Sequence, residues 1–219
     1  TMKLKHALVG LFALALVGNV QAQQDFNFPS DPALEVKARE YNAAYVDYMK
    51  SEQFVEATKP LHWLLTNVPK LNESIYINGI TVYNGAATKT SDASQKRVYQ
   101  DSVITIFNLR KDNYDNEPKW IENKAYYSYN FYKGEKAKGG EALAVFDRVG
   151  ELNGTFNTIN LVAAYFDLVY RHYGYNKAFT KEQVLERYEG LNKLLAEAEA
   201  SGKDISTPKQ TLDQLIVVM

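Results

Sequence analysis

The chain of 219 residues contains no cysteine. Disulfides, thiolate-bound metals and a lipid carried on a cysteine are therefore excluded within these residues. An excess charge of either sign is lacking too: 25 Lys and Arg stand against 26 Asp and Glu, a formal net charge of -1, and the signs are mixed along the chain. No overall field pulls such a chain onto nucleic acid or an anionic membrane. Histidine is scarce, at three residues. His6 lies in the first segment, and neither His62 nor His172 has a second histidine or a carboxylate cluster at ligand spacing, so no metal or other cofactor is expected.

Signatures of catalysis are equally thin. No Gly-x-Ser-x-Gly occurs, and Ser102 and Ser128 fall inside helical periods, where serine is usually only solvated or bonded to the preceding turn. The carboxylate pairs Glu197/Glu199 and Asp112/Asp115 fall on solvated helix ends and breaks. Gly139-Gly140 and the stretch from Gly150 to Gly154 lack the strand-to-helix setting of a phosphate loop and read as helix terminators. These absences predict a protein that is not an enzyme.

Aromatic residues are what the chain has in excess, with 16 Tyr and 10 Phe. The sharpest cluster is Tyr126-Tyr127-Ser128-Tyr129-Asn130-Phe131-Tyr132. On a helix, consecutive positions point all the way round, so some of these rings must fill a core while others face a groove or a partner.

Lys3 and Lys5 precede an apolar stretch from Ala7 to Val17 and a run of small or polar residues to Ala22. This pattern predicts a secretory signal over 1–22, cut after Ala22, since about 11 apolar residues fall well short of the ~20 that span hydrocarbon. A soluble, non-lipidated periplasmic protein follows, with no later apolar segment of membrane length. Residues 23–32 read as an extended leader. Asn72-Glu73-Ser74 and Asn153-Gly154-Thr155 match the N-glycosylation acceptor pattern.

From Ala33 onward the apolar period is helical. Leu34, Ala38, Tyr41, Ala44, Tyr45 and Tyr48 mark a first helix, Ala33 to Lys50, with Pro32 in its first turn and Ser51 capping the next. Phe54, Ala57, Leu61, Leu64 and Leu65 mark a second, Glu52 to Asn67, closed at Val68-Pro69. Further helices are predicted over 73–87, with Gly79 letting a neighbour approach closely, over 95–111 and 117–132, from after a Gly139-Gly140 break to near Gly150 to Gly154, and over 156–173 and 181–201, the last opening from Thr180. Strand-like alternation is nearly absent, so the fold class is all-α. Odd-numbered helices start about every 40 residues, the period of an α-solenoid built from antiparallel helical hairpins. Residues 33–203 form the repeat domain. Residues 204–219 begin a further helix, around Leu212 to Val218, and stop on apolar residues as a truncated array would.

The unit from Ala38 to Pro69 resembles a tetratricopeptide repeat (TPR). Aromatic Tyr41 and Tyr48 stand on its first helix, small Ala57 on the second, then Leu61, Leu64 and the closing Pro69. Tyr45 departs from the family, which places a small residue there. As a whole, Tyr41 to Tyr188 resembles the exported TPR proteins of Bacteroidetes, with Tyr99-Gln100-Asp101-Ser102-Val103 and Tyr165-Phe166-Asp167 as the most similar segments. The resemblance implies a right-handed superhelix and a non-catalytic scaffold that binds a protein segment on its concave face. The residues expected there are Tyr41, Asn42, Tyr45, Asn78, Tyr126 and Asn130, tyrosines for contact area and asparagines for a peptide backbone. The rival reading is a glycan or small ligand stacked on Trp and Tyr platforms, with Trp120 the candidate.

Overall fold

The structure, a computed structural model, describes residues 25–219; the expected signal segment lies outside them. Nine α-helices and one 3-10 turn are present among the described residues, with no strand. They are α1 (Pro32–Lys50), α2 (Phe54–Asn67), α3 (Ser74–Lys89), α4 (Ala93–Asn113), the 3-10 turn Glu117–Lys119, α5 (Ile121–Tyr132), α6 (Gly139–Asn153), α7 (Leu161–Asn176), α8 (Lys181–Ala200) and α9 (Ser206–Val217). Among the described residues no helix is long and apolar enough to cross a membrane.

Local chemistry explains most of the boundaries. Asp31 accepts the Leu34 N–H at 2.9 Å and Pro32 occupies the first turn, so α1 starts where its orphan donors are met. Ser51 corrects its predicted role. Its hydroxyl donates to the Asp47 carbonyl at 2.8 Å and closes α1 instead of opening α2. Asp92 caps α4 through Gln95 N–H at 2.8 Å, and Thr180 and Gln183 form a reciprocal capping box on α8.

Three further boundaries differ from the sequence reading. Gly139 and Gly140 are the first residues of α6, not a break before it, and their bare backbone lies against the His172 imidazole. The segment before α7 stays irregular because the Asn157 and Thr158 N–H groups donate to the Glu122 carboxylate, at 2.7 and 2.9 Å, not to a helix ladder. The last helix starts at Ser206, earlier than the apolar residues alone indicate, with Pro208 buried in its first turn.

Two apolar cores result. Helices α1 to α4 pack in succession, each on the next, around Tyr45, Leu61, Leu64, Ile75, Tyr76 and Phe107. In the second core α7 packs against α5, α6, α8 and α9, around Phe146, Phe156, Val162, Phe166, Val169 and Leu212. Phe131 on α5 packs against both and joins them. Gly79 acts as predicted: a Cβ there would lie 3.2 Å from Ile106 of α4 and 3.5 Å from Leu61 of α2. Gly85, which the sequence reading did not single out, is tighter, its absent Cβ falling 2.4 Å from the Phe54 ring.

Ahead of α1, residues 25–28, outside any helix or strand, lie against the turn between α2 and α3. Asn27 N–H donates to the Leu71 carbonyl at 2.8 Å and the Asn27 amide to the Lys70 carbonyl at 3.1 Å.

Candidate functional site

Of the six predicted site residues, four lie on α1 and α3 and two on α5. On α1 and α3, Tyr45 is corrected from a face residue to a core residue: it is 1% exposed, and its hydroxyl accepts from the Asn78 amide at 3.2 Å. Burial pushes its pKa up, although bonds to Asn78 and Ser74 pull the other way. One turn before it, Asn42 has a buried carbonyl oxygen with no hydrogen-bond partner among the described residues. Tyr41 is half-buried, its ring edge-on to Trp63 at 5.0 Å, and the Lys37 ammonium sits 5.4 Å from the Tyr41 ring and 5.0 Å from Trp63. This group makes a packed polar seam.

On α5 the aromatic run divides by helical position. Tyr127 and Phe131 pack inward at 5.6 Å from one another, and Tyr132 is buried. Tyr126 is 54% exposed, and Asn130, one turn later, is exposed with its amide donating to the Tyr126 carbonyl at 2.9 Å. These two are the part of the run left to solvent.

The remaining tyrosines do something the sequence reading did not foresee. Four of them donate across a helix boundary to an aspartate that also holds a cation. Tyr132 on α5 donates to Asp101 of α4 at 2.6 Å, and the Arg97 guanidinium lies 5.4 Å from the Tyr132 ring and pairs with Glu135. Tyr129 donates to Asp167 of α7 at 3.0 Å, which Arg171 holds at 2.7 Å. Tyr165 on α7 donates to Asp147 of α6, while Arg187 of α8 binds Asp147 at 2.8 Å. Tyr188 of α8 donates to Asp213 of α9 at 2.7 Å, which Lys209 holds at 2.5 Å.

Each is a phenol-carboxylate-cation clasp, and a hydrogen bond onto an ionised acceptor is among the stronger ones available. Burial and then the aspartate push the hydroxyls of Tyr129, Tyr132 and Tyr165 well above the usual phenol range; for Tyr188 the Asp213 bond is the main cause. The Lys209 ammonium and the Tyr188 hydroxyl hold Asp213 below the usual carboxylate range.

A fifth polar knot ties α3 to the end of α4 beside the first core. Glu73 accepts from Arg110 at 2.9 Å and from Asn116 at 2.5 Å, and Asn116 in turn accepts from the Trp120 indole N–H at 2.7 Å. Burial raises the Glu73 carboxyl, but those bonds and the Arg110 charge outweigh it and hold the group low. Trp120 is 2% exposed and stacks on Phe107, so its face is not open to a sugar ring. Both acceptor asparagines are engaged: Asn72 is buried and bonded, and the Asn153 amide donates to the Pro118 carbonyl at 3.3 Å.

Among the described residues no three His, Cys, Asp or Glu side chains gather closely enough to hold a metal ion. His62 is exposed, and His172 meets the Phe179 ring edge-on at 6.1 Å. The Ser102 hydroxyl donates to the Val98 carbonyl at 2.7 Å, as a mid-helix serine does. An open groove borders α9, lined by Ile205, Lys209, Gln214 and Val217 among others. Comparison of the chain with protein-family models, with curated proteins and with solved structures finds no match.

Proposed function

We propose that the chain is a non-catalytic scaffold of the cell envelope, a TPR-like α-solenoid that binds a protein segment on a face to which α5 contributes. One observation carries the reading: in an aromatic run whose other hydroxyls are clasped or turned inward, Tyr126 stands 54% exposed beside the exposed amide of Asn130. A rigid ring with a polar tip next to a donor-acceptor amide suits a peptide backbone and its side chains. Ile77 on α3 and Tyr175 on α7 are also about half exposed, at 46% and 53%. The pairing of α1 with α2, α3 with α4 and α5 with α6, and the packing of α5 on α7 and α7 on α9, support a stacked-hairpin arrangement.

Tyr41, Asn42 and Asn78 lie on α1 and α3, beside the buried Tyr45. The test is affinity capture from envelope extract with the full chain, comparing the unaltered protein with Tyr126→Ala, Asn130→Ala and Asn78→Ala. Loss of one defined protein band with Tyr126→Ala and Asn130→Ala is the expected result. Capture that does not change in any of the three overturns the reading.

A further inference from the structure

The leader ahead of α1 is seated in a site built to hold it. Asn72, in the turn between α2 and α3, is 9% exposed, and its two amide atoms are both committed. The oxygen accepts the Ser74 N–H at 2.8 Å, which fixes the orientation of the amide, and the nitrogen donates to the Asp25 carbonyl at 3.2 Å. Two residues on, Asn27 bonds the same turn through its backbone N–H and its side chain, at Leu71 and Lys70. Phe28 then lies under the Arg39 guanidinium, 3.8 Å from ring centre to cation, with Arg39 steadied by Glu35 at 2.7 Å. Phe26 stacks on Phe28 with ring centres 5.6 Å apart.

The seat thus reads one backbone carbonyl, one backbone N–H, one carboxamide and one aromatic ring, in that spatial order. Such a set recognises a segment that carries Asn followed by an aromatic residue, while Phe26 stacks on Phe28 within the leader itself. The leader is also dispensable to the helix that follows. Pro29 and Ser30 separate it from Asp31, which caps α1 through its own side chain, so release of residues 25–28 leaves the helix start intact.

We propose that this seat, formed by the α2–α3 turn and the exposed side of α1, is a peptide-recognition site closed in cis by the leader and opened by a competing segment of the same Asn-aromatic chemistry. A short tether gives the leader a local concentration on the order of millimolar, so a weak competitor is excluded and a better-fitting one is admitted. The site is distinct from the α5 face, and its test does not involve Tyr126 or Asn130.

The probe is a fluorescein-labelled peptide copying residues 25–31, titrated against the full chain and read by anisotropy. Phe28→Ala weakens the cis strap and is expected to bind the probe about tenfold more tightly than the unaltered chain. Adding Asn72→Ala or Arg39→Ala to Phe28→Ala abolishes that gain, as does replacing both phenylalanines of the probe by alanine. Arg39 is exposed, so its variant keeps the test valid even where Asn72→Ala disturbs folding. Equal probe affinity in the Phe28→Ala and unaltered chains overturns the proposal. So does a concentration-dependent dimer that the probe dissociates, because the leader would then be exchanged between two copies.

Discussion

A tyrosine hydroxyl and a phenylalanine edge differ by one oxygen, and in this chain that oxygen decides where a ring sits. Tyr132, Tyr129, Tyr165 and Tyr188 each spend it on an aspartate of a neighbouring helix, whereas Tyr126 keeps it in solvent. Tyr132→Phe therefore costs about 1–2 kcal/mol in urea denaturation, because a bond to an ionised acceptor is lost. Tyr126→Phe stays within about 0.5 kcal/mol, as surface substitutions do. Equal effects at the two positions contradict the distinction. The hydroxyls also set an alkaline limit. Burial of Tyr83 beside Tyr99 pushes its pKa up to about 12, and Tyr129, Tyr132 and Tyr165 move in the same direction. A phenol whose folded pKa is raised keeps the folded state the more protonated one, so its contribution is fully present below the unfolded value near 10 and is lost as pH rises beyond it. Unfolding monitored by circular dichroism at constant urea should show stability falling from about pH 10 upward, and a flat profile to pH 12 contradicts it. Half of two of the four clasps was legible in the sequence: Arg97/Asp101 and Asp167/Arg171 are charge pairs four residues apart on predicted helices, whereas Lys209 precedes the predicted last helix and Asp147 and Arg187 stand 40 residues apart. Which tyrosine reaches them depends on how helices cross, which no local spacing states.

At the scale of the helix, glycines give the sharpest prediction. Gly85 would place a Cβ 2.4 Å from the Phe54 ring, Gly79 one 3.2 Å from Ile106, and Gly190 meets nothing within 4 Å. Gly190→Ala on α8 is expected to stabilise by about 0.5–1 kcal/mol through backbone entropy. Gly85→Ala destabilises, by about 1–3 kcal/mol for an overpacked contact, and Gly79→Ala falls between. Thermal melts of the three variants must keep that order. Helical periodicity revealed every helix, because the apolar stripe that buries a face also writes its period. Caps were visible where a side chain makes them, as at Thr180, and not where a distant group intervenes. The start of α7 is the clearest case, since Glu122 takes the Asn157 and Thr158 donors from 35 and 36 residues away. Ser51 was misplaced for a different reason: a hydroxyl between two helices serves either end equally well in sequence, and here it bonds backward.

Taken whole, the molecule is all-helical among the described residues, with two apolar cores that Phe131 joins and that polar groups also link. Arg97 of α4 makes one such link by donating to the Phe131 carbonyl of α5 at 3.4 Å and Asp101 of α4 another by accepting from Tyr132, whereas Glu73, Arg110, Asn116 and Trp120 tie α3 to the end of α4 within the first core. Arg110→Ala leaves the Glu73 carboxylate half-buried without its cation, and a loss of about 2–4 kcal/mol is expected, larger than for the exposed pair partner Arg39→Ala. The candidate surface was only partly legible. Tyr126 and Asn130 stand where a helical wheel places them, but Tyr45 is interior because α1 and α3 close over it, and Asn72 drew notice as a glycosylation acceptor instead of as a group that binds main chain. Since scaffolding on the α5 face is the central claim, site-specific photo-crosslinking tests it most directly. A benzoylphenylalanine placed at Tyr126, and at the exposed Val55 of α2 as a control, is irradiated in envelope extract. One discrete protein adduct from position 126 and none from position 55 is the expected result; no adduct from 126, or the same adducts from both, contradicts it.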